Sequence, residues 1–149
     1  TLAGVPMSKR VEVGVMEDAQ LGMAIGLALA GKVPICIFPR MDFLLCAMNQ
    51  LVNHLEVYQK KRRPLKVIIR TCVGSKSPLD PGPQHSGDYV AGLKVMLAKV
   101  SVVDLVRPDM ILGEYKSAYG PEENRESAAQ SSYWRSSVIV ERADRYGME

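Results

Sequence analysis

The sequence lacks the extremes of composition that mark several classes of protein. Its net charge is only +3 over 149 residues, so bulk electrostatics does not indicate a nucleic-acid or membrane partner. The 12 glycines and 9 prolines follow no period, which excludes collagen-like and low-complexity chains. A hydrophobic content of 47% excludes a disordered chain. We therefore expect one globular domain over residues 1–149.

Cysteines and long hydrophobic runs are also scarce. The three cysteines (Cys36, Cys46 and Cys72) are odd in number and widely spaced, so they fit neither a disulfide framework nor a metal site. They indicate reduced thiols in a cytoplasmic protein. The apolar run from Leu21 to Ala30 is about half the roughly 20 residues that a membrane span needs. An acidic pair precedes it, which is the wrong flank for a signal peptide. The sequence thus predicts no membrane association.

Five short apolar runs alternate with segments of helical pattern. The runs are 11–16, 33–38, 65–72, 101–106 and 137–141, and the helical segments are 19–30, 43–58, 89–99 and 109–118. Apolar strands that alternate with helices predict an α/β domain with a mainly parallel sheet and helices on both faces. Ligands of such sheets bind beyond the carboxyl ends of the strands. We therefore expect the chemistry at the turn around Glu17 and in the loop 74–88.

Glu17 ends the first predicted strand, immediately before a helix for which Asp18 is a plausible N-cap. One interpretation is a carboxylate that the helix dipole stabilises. The other is a buried proton-transfer carboxylate in an apolar surround. Val13, Val15, Met16 and Met23 could supply that surround. The pattern alone does not separate the two.

The loop 74–88 contains the string Pro81-Gly82-Pro83-Gln84-His85-Ser86. Its prolines and glycine fix the backbone and present the Gln-His-Ser side chains in a defined direction. A lone loop histidine is usually solvated. A catalytic histidine needs a carboxylate or a substrate nearby, and the sequence spacing supplies neither.

Taken in order, these segments resemble the pyrimidine-binding domain of transketolase-like thiamine-diphosphate enzymes. The likeness is nearest to the beta subunit of the decarboxylating component of 2-oxoacid dehydrogenases. It is carried by VGVMEDAQLGMAIGLALAGKVPICIF, by the helix 42–53 (DFLLCAMNQLVN) and by the Gly-Pro-Gln-His-Ser string at 82–86. Two later segments, VVDLVRPDMILGEYKSA and VIVERADRYG, also match the family pattern.

The resemblance implies thiamine diphosphate as the cofactor. Glu17 stands where the family has the glutamate that hydrogen-bonds the aminopyrimidine ring. His85 stands where the family has a histidine near the reacting carbon. Phe38, Met41 and Phe43 fall where the family lines the pyrimidine pocket, although Met41 replaces a residue that is usually aromatic.

The resemblance also implies a substrate and a partner. Gln84, His85 and Ser86 would bind a small 2-oxo acid or ketose. The family holds Mg²⁺ and the diphosphate on a Gly-Asp-Gly motif that this sequence lacks, since its Gly87-Asp88 pair is followed by Tyr89. A diphosphate-binding, alpha-type subunit would then supply the Mg²⁺ site, in a homo- or hetero-oligomer.

Two alternatives stay open. The chain could be a non-catalytic structural or regulatory homologue of that domain. It could also bind nucleic acid through Lys60, Lys61, Arg62 and Arg63, although such a charge run at a helix end is usually a solvated cap. No aromatic stacking platform accompanies these cations.

Overall fold

The structure, a computed structural model, describes residues 2–61, 65–74, 76, 80–120 and 135–145. Its four strands are β1 (Ile35–Ile37), β2 (Ile68–Val73), β3 (Ser101–Leu105) and β4 (Ser137–Arg142). Its α-helices are α1 (Glu17–Leu29), α2 (Met41–Leu45), α3 (Glu56–Lys60), α4 (Val90–Met96) and α5 (Met110–Tyr119). A π-helical stretch, Asn49–Leu55, lies between α2 and α3, and short 3-10 turns span Met7–Lys9, Pro83–His85 and Ala143–Arg145.

The strands form one sheet in the order β1-β2-β4-β3, and every pairing is parallel. Ile69 of β2 is aligned with Cys36 of β1 and with Val138 of β4. The α/β fold with a parallel sheet that the sequence predicted is confirmed.

Alternate residues of each strand point to opposite faces of the sheet, and helices cover these two faces unequally. One face, which includes Ile69 and Val138, packs against α1, α2, the π-helical stretch and α4 in the main core. The other face carries a smaller core of Ile68, Leu105 and Ile139, packed by side chains of α5. Both faces thus carry helices, as expected for buried parallel strands.

The predicted first strand, residues 11–16, is wrong. This segment has no strand pairing, and the side chains of Val11 and Val15 are 70% and 92% exposed. Continuous apolar runs such as 33–38 have two faces to bury. Here Glu12 and Gly14 separate the valines, so the segment has less apolar surface with which to compete for a place in the sheet.

The start of α1 also differs from the prediction. The helix begins at Glu17, and its N-cap residue, Met16, makes no side-chain capping bond. Asp18 lies inside the helix, where its carboxylate accepts a hydrogen bond from Gln50 Nε2 at 3.1 Å. Gly22 gives α1 a face without a side chain beside Gln50, whose side chain a Cβ at Gly22 would contact at 3.6 Å. This face helps α1 to pack on the π-helical stretch.

One buried carboxylate anchors the turn before β3. Glu56 is fully buried and accepts hydrogen bonds from the backbone N–H groups of Ala98, Lys99 and Val100 at 2.8–3.1 Å. Lys60 Nζ lies 3.4 Å from the same carboxylate. Burial alone would raise the pKa of Glu56, but these N–H groups and Lys60 together lower it. Glu56 thereby fixes the entry of the chain into β3.

Candidate functional site

The carboxyl ends of β1 and β2 bring the two predicted segments to one edge of the sheet. Gln20, one helical turn after Glu17, donates a hydrogen bond to the carbonyl of Ile37 at 2.9 Å. This bond places the start of α1 over the end of β1. The loop that carries His85 follows β2, which ends at Val73. Both segments therefore lie where parallel sheets bind ligands.

Glu17 is half-buried in the first turn of α1. Its carboxylate has no hydrogen-bond or ion-pair partner among the residues that the structure describes. Of the residues that could supply an apolar surround, Val13 is half-buried, whereas Val15, Met16 and Met23 are 92%, 59% and 43% exposed. Glu17 therefore presents a free carboxylate at the helix N-terminus rather than a dry one.

The loop before α4 has a fixed backbone, as its sequence predicted. Asp80 Oδ1 accepts the N–H of Gly82 at 2.9 Å, and Gly82 adopts a φ of 76° that favours glycine. The N–H of His85 then donates to the carbonyl of Gly82, closing the Pro83–His85 turn. Gly74 packs beneath this turn so closely that a Cβ there would lie 2.8 Å from Ser86 Cα. Residues 75 and 77–79 of this loop lie outside the described residues.

His85 and Phe43 are brought together by the fold. Their rings stack with centroids 5.1 Å apart and an interplanar angle of 28°. His85 is half-buried, and its Nδ1 atom is buried without a hydrogen-bond partner. The imidazole thus has one face on an aromatic ring and one ring nitrogen turned inward.

Asp42, next to Phe43, carries the second unpartnered polar atom at this edge. The Tyr89 hydroxyl donates to Asp42 Oδ1 at 3.2 Å, whereas Asp42 Oδ2 is buried without a partner. The charge of Asp42 raises the pKa of Tyr89. An unsatisfied carboxylate oxygen in a buried position is uncommon and calls for an explanation.

The other predicted site residues occupy different environments. Phe38 and Met41 are each 1% exposed and belong to the main core, so they offer almost no surface to a ligand. Gln84 and Ser86 are exposed on either side of His85. No hydrogen bond, ion pair or ring contact joins Glu17 to His85 in the described part of the chain.

Asp88 ties the end of the loop to the sheet. Its carboxylate accepts the N–H of Val90 at the start of α4 and forms an ion pair with Arg142 of β4. Arg142 also binds Asp104 of β3 at 2.7 Å. Burial raises the pKa of Asp88, but the hydrogen bonds from Arg142 and Val90 outweigh it and lower that pKa. The loop is thus anchored to β3 and β4.

Sequence reasoning missed Asp42, Gly74, Tyr89 and Arg142. Asp42 had one signal, since it is an acidic residue at the start of a helix that follows a strand. The others depend on contacts between distant segments, such as the 47 residues that separate Asp42 from Tyr89. Spacing along the chain gives no sign of such pairs.

Two grooves lie away from this edge. One, of about 160 Å³, lies between β3, β4 and α5, and its lining includes Ser101, Glu114 and Ser137. The other, of about 360 Å³, is lined by Asn53, His54, Val57, Tyr58 and Lys61. Lys60 of the basic run pairs with Glu56, while Arg62 and Arg63 lie outside the described residues.

The described residues contain no group of three or more His, Cys, Asp or Glu side chains placed to hold a metal ion. In the same part of the chain, no helix combines the length and the apolar character needed to cross a membrane. The location of the protein stays a prediction.

Comparison with known proteins gives a partial match. No family model matches the chain. It is 32% identical over 95 residues to the mitochondrial pyruvate dehydrogenase E1 component subunit beta of Caenorhabditis elegans. That match covers 58% of this chain and 26% of the worm protein, so the chain spans about a quarter of the relative's length. The similarity supports the resemblance to 2-oxoacid dehydrogenase beta subunits over part of the chain.

Proposed function

We propose that this chain supplies the aminopyrimidine-binding part of a thiamine-diphosphate site in a two-subunit enzyme of the 2-oxoacid dehydrogenase or transketolase-like class. The observation that carries the proposal is the common position of Glu17 and His85 at the carboxyl edge of an all-parallel sheet. The partial match to the worm E1 beta subunit supports it.

The side chains present fit the cofactor by their chemistry. The Glu17 carboxyl group has no partner among the described residues, so it is available to hydrogen-bond a ring nitrogen. Phe43, half-buried beside His85, offers an aromatic edge. Phe38 and Met41 form the packed floor beneath it rather than contact surface. When bound, thiamine diphosphate supplies a carbanion that attacks the substrate carbonyl.

Glu17 acts on the cofactor ring. Its carboxyl group would hydrogen-bond a nitrogen of the cofactor ring, and the Gln20 bond to the end of β1 holds the helix turn in place. A dry environment would strengthen this hydrogen bond.

His85 acts on the substrate. Its Nε2 would donate a proton to the substrate carbonyl oxygen as a bond forms to the carbonyl carbon, and would take the proton back when that oxygen becomes a carbonyl again. Gln84 and Ser86, exposed on either side, bind the carboxylate of a 2-oxo acid or the hydroxyls of a ketose. The hydrogen bonds of the loop backbone hold these three side chains in fixed positions relative to one another.

A partner subunit completes the site. Val15 and Met16 are exposed beside Glu17, so the cover that excludes water comes from another chain. In this proposal an alpha-type subunit provides that cover and also binds the diphosphate through Mg²⁺. The assembly is then a hetero-oligomer in which neither chain is active alone.

Titration calorimetry with thiamine diphosphate and Mg²⁺ tests the proposal. We expect tight binding by the chain together with its diphosphate-binding partner and not by the chain alone. Glu17→Gln in the complex should abolish turnover of a 2-oxo acid, because an amide cannot exchange the proton. Glu12→Gln, which changes an exposed carboxylate five residues away, is the matched control and should leave turnover unchanged.

Two results would count against the proposal. Absence of cofactor binding by the complex would favour the non-catalytic homologue. Equal turnover by the parent and by Glu17→Gln would remove Glu17 from the mechanism.

A further inference from the structure

Two buried polar atoms at the carboxyl edge, Asp42 Oδ2 and His85 Nδ1, have no hydrogen-bond partner in the part of the chain that the structure describes. The large majority of buried side-chain polar atoms in proteins are hydrogen-bonded, because burial without a partner is unfavourable. One atom is an acceptor and the other can carry a proton. Their requirements are therefore complementary.

The fold places these two atoms on elements that are in contact. Phe43, adjacent to Asp42 in α2, stacks on the His85 ring. Tyr89, four residues after His85, donates its hydroxyl to Asp42. The Pro83–His85 turn itself packs against α2. The Phe43–His85 stack and the Tyr89–Asp42 hydrogen bond thus hold Asp42 beside the loop that carries His85.

We propose that Asp42 is the positioning carboxylate of His85, with Asp42 Oδ2 accepting the proton of His85 Nδ1 through one water, or directly after a side-chain rotation, because the two atoms are not bonded to each other in this structure. Nε2 is then left unprotonated and turned towards the open edge. The pairing does not depend on the proposed function, but its catalytic meaning does. It supplies the acidic partner that a catalytic histidine needs and that sequence spacing did not reveal.

Tyr89 and Phe43 complete the arrangement. The Tyr89 hydroxyl occupies Asp42 Oδ1, which stops the carboxylate from rotating and leaves Oδ2 for His85. Phe43 restricts the imidazole plane through stacking. The Asp42 carboxylate and the His85 imidazole are thereby each restricted by one contact before any ligand binds.

Nitrogen-15 NMR of the imidazole rings tests the pairing on this chain without a partner or cofactor. The chain has only two histidines, and His54→Gln identifies the signals of His85. We expect neutral His85 to be mainly the Nδ1–H tautomer, whereas exposed His54 should show the usual excess of Nε2–H. Asp42→Asn should move the His85 signals to the Nε2–H pattern, because the amide can turn its NH₂ group towards Nδ1.

Asp109→Asn is the matched control, since it neutralises an exposed carboxylate whose ion-pair partner is Arg107. It should leave the His85 signals unchanged. A parent spectrum dominated by Nε2–H, or the same tautomer in Asp42→Asn, would overturn the proposal. If Asp42→Asn does not fold, the tautomer of His85 in the parent spectrum alone tests the pairing.

The complex with its partner subunit provides a second readout. Asp42→Asn should lower kcat by up to about 10²-fold, at the lower end of what acid–base catalysis contributes, and should leave cofactor affinity unchanged. A tautomer shift without any change in kcat would refute the catalytic role of the pair. If the parent complex does not bind the cofactor, the proposed function is refuted, whereas the Asp42–His85 pairing is still tested by the NMR spectra.

Discussion

Replacement of Glu56 by glutamine is the sharpest test of how this fold is held together. The carboxylate is fully buried and receives four hydrogen bonds from three consecutive backbone N–H groups, those of Ala98, Lys99 and Val100. A glutamine has the same shape but only one acceptor oxygen. Its NH₂ group is a donor and would face backbone N–H groups, which are also donors.

The expected cost follows from these bonds. Hydrogen bonds to charged groups contribute about 1.5–3 kcal/mol each, and a buried donor left without a partner costs about as much. Loss of roughly two such bonds lowers the free energy of unfolding by about 3 kcal/mol or more. Domains of this size are stable by only about 5–15 kcal/mol. Glu56→Gln should therefore lower Tm by roughly 6–12 °C.

The pH dependence gives an independent check. Because the pKa of Glu56 in the folded state lies below its ordinary value of 4.5, its contribution is complete above that value and is lost as pH falls through the folded-state pKa. Urea unfolding, followed by far-ultraviolet circular dichroism, should show a large difference between parent and Glu56→Gln at pH 7. The difference should shrink as the pH falls below 4.5.

The control is Glu12→Gln, at an exposed position, where a change within about 0.5 kcal/mol is expected. A stability of Glu56→Gln equal to that of the parent at pH 7 would show that the turn before β3 does not depend on this carboxylate. So would a difference that stays constant with pH.

Three further changes have defined outcomes. Gly74→Ala should displace the histidine loop, because its Cβ would lie 2.8 Å from Ser86 Cα, and should cost about 1–3 kcal/mol in thermal unfolding. Arg142→Ala should cost a similar amount and increase amide exchange in residues 80–90, because Asp88 and Asp104 lose their common partner. Burial raises the pKa of the Cys36 thiol to about 11, so iodoacetamide at pH 8 should modify it only after unfolding, as peptide mass spectrometry would show.

Each of these predictions has a matched control within the chain. Gly92→Ala adds a Cβ in open space on α4 and should be neutral or stabilising. Arg107→Ala breaks an ion pair that is about 70% exposed on both sides and should cost less than about 1 kcal/mol. Cys46 is exposed and should react with iodoacetamide in the folded protein. Equal effects in a variant and its control would contradict the corresponding prediction.

Much of the sheet could be predicted because its central strands, β2 and β4, are buried on both faces over most of their length. Their valines and isoleucines have few alternatives to a parallel strand, whereas the run 33–38 forms the edge strand β1. The run 11–16 also contains valines, but Glu12 and Gly14 alternate with them. Whether such a segment is buried in a sheet depends on its contacts with the rest of the chain. Local composition does not contain that information.

The candidate site, too, could be predicted only in part. His85 follows β2, so its place at the carboxyl edge could be predicted. Glu17 reaches the same edge through the packing of α1 on the end of β1, because the run 11–16 before it is not a strand. The Asp42–Tyr89 bond and the Phe43–His85 stack join segments about 40 residues apart or more. Such pairs exist only once the strands have aligned their carboxyl ends, which is why sequence spacing did not reveal them.

The central place of β4 in the sheet also matters during synthesis of the chain. Among the strands that the structure describes, β4 is the latest in chain order, yet it is the strand that joins β2 to β3. Before residues 137–142 have been synthesised, β2 and β3 lack the neighbour that pairs with both of them, and the N–H and C=O groups on those edges stay unpaired. Such open edges are prone to aggregation in a partly synthesised chain.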